Sequence, residues 1–179
     1  MGTLYFVRHG ESIWNVDKRV CGSIDVPLTQ RGRDMARETG DEIKRRGLKI
    51  DRIISSPLKR AFETATIISS VIGVKVEEDP RISEQAFGKW EGKILIGDMG
   101  FVEAKKSFAI SYEGGESMLK TAHRVYSLLD QIKEDRDNNY LIVAHNGIAR
   151  FVQSYFFDMT NDEFAAHQVP NCSITEYEI

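Results

Sequence analysis

The sequence predicts an α/β protein: a three-layer α/β/α sandwich on a mostly parallel sheet, with a short insertion that forms a cap. Three observations predict this class. Short apolar runs alternate with segments whose apolar residues recur at helical spacing. The run Tyr140–Ala144 is apolar throughout, as in a parallel strand buried on both faces. The 179 residues contain no internal repeat or dividing linker, which indicates one domain over residues 1–179.

Five segments are predicted as strands because they are short and rich in β-branched and aromatic residues. In chain order they are Thr3–Val7, Asp51–Ser55, Val74–Val76, Tyr140–Ala144 and Ser173–Tyr177. The last segment alternates, so Thr175 and Tyr177 should face the side of the sheet opposite to Ile174, Glu176 and Glu178.

Start and stop signals predict two helices in the first half of the chain. Thr29 can cap a helix that Gly47 ends. Its inward positions include Met35, Thr39 and Ile43. Ser56 and Pro57 are interpreted as the N-cap and first residue of the next helix, which Gly73 closes. Its inward positions are Leu58, Ala61, Phe62, Ala65 and Ile68.

A long helix is predicted from Ser117 onward, and two shorter ones over Ile148–Phe156 and Asp162–Ala166. The inward stripe of the long helix is Met118, Ala122, Val125, Leu129 and Ile132. Residues 82–116 are the least regular part of the chain. We expect one or two weak helices there around Phe101–Phe108, and residues 92–115 are interpreted as the cap insertion.

Charge and composition narrow the possible partners. The formal net charge of −3 and the absence of a basic stripe argue against nucleic acid. The short clusters Lys44–Arg46 and Lys105–Lys106 are interpreted as solvated helix surface. No membrane span or secretion signal is found, and two cysteines without a CxxC pair favour a reduced, cytoplasmic compartment. The expected partner is a small molecule, and the protein is expected to be a monomer or homodimer.

Two histidines directly follow predicted strands, and this placement is the first indication of chemistry. His9 follows the first strand and His145 follows the strongest one. In an open α/β sheet, ligands bind beyond the carboxyl ends of the strands, so both rings could face one crevice. Arg8 and Arg60 belong to the same edge of the sheet. Two guanidinium groups beside two imidazoles form a natural site for a phosphate group.

Six ordered motifs carry a resemblance to a known family over almost the whole chain. They are Leu4–Ser12 followed by Asn15, Gly22–Thr29, Ser55–Ala61 with Glu63–Ala65, Glu84 with Phe87–Gly92, Gly114–Ser117, and Val143–His145. This set resembles the histidine phosphatase superfamily, in its phosphoglycerate-mutase-like branch. The resemblance implies a phosphoryl-transfer enzyme that uses no metal and no cofactor.

The resemblance also implies roles for individual residues. His9 would be the nucleophile and would become a phosphohistidine. Arg8, Arg60 and a protonated His145 would hold the phosphoryl oxygens, and Glu84 would donate a proton to the leaving group. The remaining substrate-binding candidates are Asn15, Cys21, Gly22, Ser23 and Asn146.

Two of these candidates have a structural interpretation as well. Asn146 stands where many relatives have a glycine or a small residue, and it could contact the substrate or only shape a turn. We slightly favour the turn, since asparagine tolerates positive φ. Cys21 should act through its backbone, and no redox role is expected for its thiol.

Hydrolysis is preferred over mutase chemistry, which stays the alternative. Mutases of the family have a longer insertion with extra basic residues and a longer C-terminal tail. Here the stretch between Glu84 and Ser117 is short, and its basic residues are all lysines. They are Lys89, Lys93, Lys105 and Lys106.

The substrate is not readable from the residues. Sugar phosphates, phosphoglycerates, nucleotides and small cofactor precursors such as a ribazole phosphate are all candidates. Four aromatic residues could line a cap over an organic leaving group, or could simply pack the insertion onto the core. They are Trp90, Phe101, Phe108 and Tyr112.

Two further classes of protein are disfavoured by the same residues. A non-catalytic module that binds phosphorylated ligands would need neither a nucleophile nor an acid, so His9, Glu84 and His145 together argue against it. A metal-dependent hydrolase is disfavoured because the four histidines show no HxH or HExxH spacing.

Overall fold

Strands β1 (Thr3–Arg8) and β4 (Tyr140–Ala144) lie at the centre of a five-stranded sheet in the computed structural model of this protein, which describes residues 2–94, 99–135 and 137–179. The other strands are β2 (Arg52–Ser55), β3 (Val76–Glu78) and β5 (Ile174–Glu178), and the order across the sheet is β3-β2-β4-β1-β5. All neighbours run parallel except β5, which pairs antiparallel with β1. The predicted mostly parallel sheet is confirmed.

Helices cover both faces of this sheet. In chain order they are α1 (Ile13–Val16), α2 (Gln30–Arg46), α3 (Lys59–Ile72), α4 (Met99–Ala104), α5 (Met118–Glu134), α6 (Asn146–Phe156) and α7 (Asn161–Ala166), with short 3₁₀ turns at Pro80–Ile82 and Gly88–Trp90. Phe6 and Ile142 point to one face, where α5 and α6 bury their apolar stripes. Val7 and Val143 point to the other, against Ile43 of α2 and Ile68 of α3. This alternation along each strand creates the three layers.

Most predicted helix ends lie where the sequence signals placed them. Thr29 and Ser117 accept amide hydrogen bonds at the starts of α2 and α5. Gly47 and Gly73 end α2 and α3 with φ angles of 65° and 80°, in the left-handed region that favours glycine.

Several predicted boundaries were wrong. Strand β3 covers Val76–Glu78 rather than Val74–Val76, because pairing with β2 fixes its register. Helix α3 begins at Lys59 with Leu58 as its N-cap, so Ser56 is not the cap and instead serves the site described below. Helix α6 begins at Asn146, two residues before the prediction.

Three further corrections concern side chains and short segments. Met35 and Phe62 are only half-buried, and the inward stripe of α2 runs through Ala36, Thr39 and Ile43. Helix α1 lies in a loop where none was predicted, since four residues are too few to show a periodic pattern. Residues 95–98 of the predicted 92–115 insertion lie outside the described residues.

Candidate active site

The central strands bring the two predicted histidines together at the carboxyl edge of the sheet. Arg8 of β1 lies opposite Ala144 of β4, so the next residues, His9 and His145, are neighbours. The His9 amide donates to the Ala144 carbonyl at 2.9 Å, and the two ring centroids are 5.2 Å apart. Strand β2 lies on the other side of β4, which places Ser56 beside His145. Backbone pairing alone therefore assembles this part of the site.

His9 is held in the form that a nucleophile needs. Its ring is 3% exposed, and Nδ1 lies 2.7 Å from the carbonyl oxygen of Gly10. A carbonyl can only accept, so Nδ1 carries the proton and the lone pair is on Nε2. Burial, followed by the charges of Arg60 and Arg8, lowers the pKa of His9 well below 6.5. The ring is therefore neutral at pH 7.

His145 is fully buried behind His9. Its Nε2 lies 2.7 Å from the hydroxyl of Ser56, which also accepts a hydrogen bond from the Leu58 amide. The Ser56 hydroxyl can therefore donate to Nε2 and leave a proton on Nδ1. Burial and the Arg60 charge lower the pKa of His145 well below 6.5. Burial therefore favours the neutral ring over the protonated one that was predicted, and the neutral Nδ1–H is still a donor.

The two predicted arginines are anchored by backbone carbonyls. Arg8 donates from Nη1 to the Val169 carbonyl at 2.7 Å. Arg60 is fully buried, and its two Nη atoms donate to the carbonyls of Ile24 and Gly22 at 2.9 and 2.7 Å. These bonds fix the guanidinium planes without neutralising their charge.

Three buried nitrogen atoms of these residues lack a hydrogen-bond partner among the described residues. They are Nε of Arg8, Nε of Arg60 and Nδ1 of His145. Unsatisfied buried polar atoms are rare, and each calls for an explanation. All three belong to residues whose side chains surround His9, and a phosphoryl group with several acceptor oxygens would satisfy them together. We call Arg8, His9, Arg60 and His145 the strand-end cluster.

Glu84 is buried beside this cluster and is suited to be an acid. Its carboxyl oxygens accept hydrogen bonds from the amides of Gln85 and Gly147 at 2.9 and 3.0 Å. Burial nevertheless raises its pKa above the usual 4.5, which favours the protonated form. Gly147 is required for this approach, because a Cβ atom there would overlap the Glu84 carboxylate.

A network from α5 positions the Glu84 segment. Arg124 donates from Nη1 to the carbonyls of Arg81 and Ser83 at 2.6 and 2.7 Å. The Glu116 carboxylate accepts from Arg124 and from the Ala86 amide at 3.0 Å each. The 114–117 motif of the sequence therefore supports the acid-bearing segment structurally.

Three substrate-binding candidates, Cys21, Gly22 and Ser23, lie in the loop at 21–24, and each has a different environment. Cys21 lines the cleft, and burial raises the pKa of its thiol to about 11, so the thiol stays protonated at neutral pH. The Gly22 carbonyl accepts from Arg60. Ser23 is exposed, and both its amide and its hydroxyl donate to Glu91, at 2.9 and 2.8 Å. Neither Gly22 nor Ser23 lines the cleft.

Both predicted asparagines line the cleft. The Oδ1 atom of Asn15 accepts hydrogen bonds from the Ser12 amide and from the Asn171 side chain. The side-chain amide nitrogen of Asn15 takes part in neither bond. Asn146 is the first residue of α6 and has no positive φ, so the turn interpretation was wrong. Its Oδ1 accepts from the Val169 amide at 2.9 Å.

The cleft has a volume of about 130 Å³ and is open to solvent on one side. His9 and Glu84 line it, whereas Arg60 and His145 are fully buried and are not among its lining residues. The sequence reasoning missed several lining residues. They are Arg19, Val20, Phe87, Phe101, Lys105 and Arg150.

Two of these missed residues correct earlier interpretations. Lys105 is half-buried rather than solvated, and its Nζ lies 4.5 Å above the Phe101 ring. Phe101 and Tyr112 are buried in the main core, and Trp90 and Phe108 pack against it. Phe101 both packs against the core and lines the cleft, so the two alternatives for the aromatic residues are combined.

Arg150 follows Gly147 by one helical turn, and that spacing was the sequence signal that could have placed Arg150 at the cleft.

The described residues contain neither a candidate metal site nor a helix suited to span a membrane. Residues 2–94, 99–135 and 137–179 contain no cluster of three or more histidine, cysteine or acidic side chains that could hold a metal ion. No helix in the same ranges has the length and apolar character needed to cross a bilayer.

The fold and site together define a phosphoryl-transfer enzyme of the histidine phosphatase type. The family model for the histidine phosphatase superfamily (branch 1) matches residues 4–179. The chain therefore belongs to this family, and the resemblance stated from its motifs is confirmed.

Individual relatives include both phosphatases and mutase-like proteins. Phosphoserine phosphatase 1 of Hydrogenobacter thermophilus is 31% identical over 154 residues, covering 83% of this chain and 72% of the relative. Phosphoglycerate mutase-like protein 4 of Arabidopsis thaliana is 32% identical over 154 residues, covering 80% and 66%. A mycobacterial glucosyl-3-phosphoglycerate phosphatase shares the fold, with a TM-score of 0.86, 24% identity, and coverage of 98% of this chain and 92% of the other.

Proposed function

We propose that this protein hydrolyses small phosphate monoesters through a phosphohistidine on His9, without a metal ion. One observation carries the proposal. Arg8, Arg60 and His145 each have a buried N–H group without a hydrogen-bond partner among the described residues. The His145 ring lies 5.2 Å from the His9 ring, and the charges of both arginines help to lower the pKa of His9. Phosphate esters are the typical substrates of the family to which the chain belongs.

The first half-reaction would form the phosphoenzyme. The lone pair on Nε2 of His9 attacks phosphorus, and the bond from phosphorus to the ester oxygen breaks. Charge on the equatorial oxygens is stabilised by Arg8 and Arg60, and the Nδ1–H of His145 adds a neutral donor. The protonated carboxyl of Glu84 gives its proton to the departing oxygen, because an alkoxide is a poor leaving group.

The second half-reaction would regenerate the enzyme. Glu84, now a carboxylate, takes a proton from water as the water oxygen attacks phosphorus. The phosphorus–nitrogen bond then breaks, inorganic phosphate leaves, and His9 and Glu84 return to their starting forms. Arg60 and Arg8 hold the phosphoryl group through both steps, so one rigid set of donors serves two displacements.

Hydrolysis is favoured over mutase activity by the cleft and the insertion. The cleft is open to solvent, so water can reach a phosphohistidine. We propose that residues 92–115 act as a short cap that covers the leaving group without excluding water. A mutase, in contrast, would have to keep water away from the phosphohistidine until the phosphoryl group was transferred back to the bound ligand.

The test is hydrolysis of p-nitrophenyl phosphate with EDTA present, in the wild type and in His9→Ala. We expect release of p-nitrophenol and inorganic phosphate by the wild type. The variant should lose at least about 10³-fold in kcat, because a missing nucleophile removes the covalent route. Full activity of His9→Ala would exclude the mechanism. No release by the wild type would instead favour a binding module, and activity that requires added metal would exclude a metal-free route.

A further inference from the structure

A second group of cations lies on the wall of the cleft, apart from the strand-end cluster. We call Phe101, Lys105 and Arg150 the cleft wall. Arg150 comes from α6, and Lys105 follows the end of α4, so two distant segments of the chain meet here. The mechanism proposed above uses neither cation.

Arg150 is a buried charge that makes no direct contact with a carboxylate among the described residues. Its side chain is 3% exposed, and Nε donates to the His167 carbonyl at 3.2 Å. Among the described residues it forms no ion pair. Burial is the main influence on this group and lowers its pKa. A buried guanidinium that lacks a carboxylate is costly to the fold, and such a group is usually paired or functional.

Lys105 and Tyr112 extend this unpaired polar group. In the described part of the chain, Lys105 has no carboxylate within ion-pair distance, and its amine lies over the Phe101 ring. Burial, followed by the charge of Arg150, lowers the pKa of Lys105 to about 8. Tyr112 is 7% exposed, and its buried hydroxyl has no partner among the described residues. Its ring centroid lies 6.2 Å from that of Phe101 in the cleft wall.

The cleft wall lies on the side where the leaving group departs. Glu84, the proposed acid, must reach the ester oxygen of the substrate. Gly147 of α6 donates to the Glu84 carboxyl, and Arg150 follows Gly147 by one turn of the same helix. Glu84, Lys105 and Arg150 line the same cleft. The phosphoryl group itself would be held on the other side, by the strand-end cluster. The cations of the cleft wall therefore face the alcohol part of the ester.

We propose that Arg150 and Lys105 bind a carboxylate on the alcohol part, so that phosphate esters of small hydroxy acids are the substrate class. The planar fork of arginine fits a carboxylate in a bidentate manner, and the amine of Lys105 adds a point charge. A single guanidinium and one amine match one carboxylate, whereas the strand-end cluster uses two guanidiniums for a phosphoryl group. This inference rests on the proposed phosphatase function and specifies its substrate.

The experiment compares two substrates that differ only in the carboxylate, O-phosphoserine and O-phosphoethanolamine. We expect the wild-type kcat/KM to be about 10- to 100-fold higher for O-phosphoserine, the range for one or two hydrogen bonds to a charged group. In Arg150→Met and in Lys105→Met this ratio should fall toward one. Lys106→Met is the matched control, because Lys106 is exposed and pairs with Glu103 and Asp162. It should keep the wild-type ratio.

The outcomes separate this inference from the proposed function. Release of p-nitrophenol by the wild type with equal kcat/KM for both esters would overturn the carboxylate site and leave the phosphatase standing. A wild-type ratio that persists in Lys105→Met and Arg150→Met would also overturn it. Lys105 is only half-buried, so Lys105→Met tests the carboxylate site even if Arg150→Met does not fold. Failure on all three phosphate esters would overturn the function and this inference together.

Discussion

The strand-end cluster and the cleft wall are built in different ways. In the strand-end cluster, His9 and the two arginines are tied to backbone carbonyls, and His145 to the Ser56 hydroxyl. The two histidines directly follow the central strands, whereas Arg60 lies on α3 and is anchored by carbonyls of the 22–24 loop. In the cleft wall, Arg150 has one long hydrogen bond and Lys105 rests on an aromatic ring. The first region is rigid and suited to chemistry, whereas the second depends on packing and is suited to selecting a substrate.

The largest effect should follow from removing a guanidinium of the strand-end cluster. Arg60→Met is expected to lower kcat by about 10²–10³-fold on every ester, with or without a carboxylate, because a fixed donor to the developing charge is lost. Steady-state kinetics on p-nitrophenyl phosphate and O-phosphoserine measure this. Circular dichroism checks the fold, because the carbonyls of Gly22 and Ile24 lose the guanidinium that donates to them. A loss of activity restricted to esters with a carboxylate, or to esters without one, would contradict the assignment of chemistry to the strand-end cluster and of substrate selection to the cleft wall.

Glu84→Gln should separate esters by their leaving groups. In a single turnover we expect about a 10²-fold loss in phosphoenzyme formation from O-phosphoserine, whose alkoxide needs a proton. With p-nitrophenyl phosphate the same step should be nearly unchanged, because p-nitrophenolate leaves without one. Rapid-quench measurement of the first turnover gives both rates. Equal losses on both substrates would argue that Glu84 does not protonate the leaving group.

The pH dependence sharpens the assignment of the two titrating groups. Activity requires neutral His9 and protonated Glu84. The pKa of His9 is lowered well below 6.5, so activity is lost only at acidic pH as the ring gains a proton. The pKa of Glu84 is raised, so activity declines as rising pH removes its proton. We expect kcat/KM for O-phosphoserine to be maximal below pH 7. The alkaline decline should disappear in Glu84→Gln, and its persistence there would assign it to another group.

The smallest expected effect concerns the loop that anchors Arg60. Glu91 accepts hydrogen bonds from the amides of Ser23, Ile24 and Phe87 and from the Ser23 hydroxyl. Glu91→Gln keeps the size but weakens these charge-assisted bonds, each worth about 1.5–3 kcal/mol. Because the group is partly exposed, we expect only about a 3- to 10-fold loss in kcat/KM. Ser23→Ala should lose less than Glu91→Gln, and the reverse order would show that the Ser23 hydroxyl contacts substrate directly.

The same division explains what the sequence could predict. Apolar runs of adequate length identified β1 and β4, and the residues after them identified His9 and His145, because local pattern determines where a strand ends. The order of the strands was not predicted, since it depends on contacts between distant segments. Strand β3 was displaced by two residues for the same reason, because its pairing with β2 decides its register.

The cleft wall shows the limit of this approach. Lys105 belonged to a basic pair that local composition assigns to solvent, and only the packing of Phe101 against the core draws it into the cleft. For Arg150 the sequence offered only its spacing of one helical turn from Gly147, on a helix that is otherwise largely apolar. The shape of this wall also depends on residues 112–116 pairing with Ala86 and Lys89, which no periodicity in residues 82–116 indicates.

The central claim is that the His9 ring carries the phosphoryl group, and rapid quench of the wild type mixed with a phosphate ester tests it most directly. Mass spectrometry of peptides from the quenched protein should find one phosphoryl group, stable in alkali and labile in acid, on His9. With p-nitrophenyl phosphate, whose leaving group needs no proton, the label should accumulate further in Glu84→Gln, because this variant slows hydrolysis of the intermediate. Turnover without any phosphorylated protein, or a phosphoryl group on a different residue, would contradict the account.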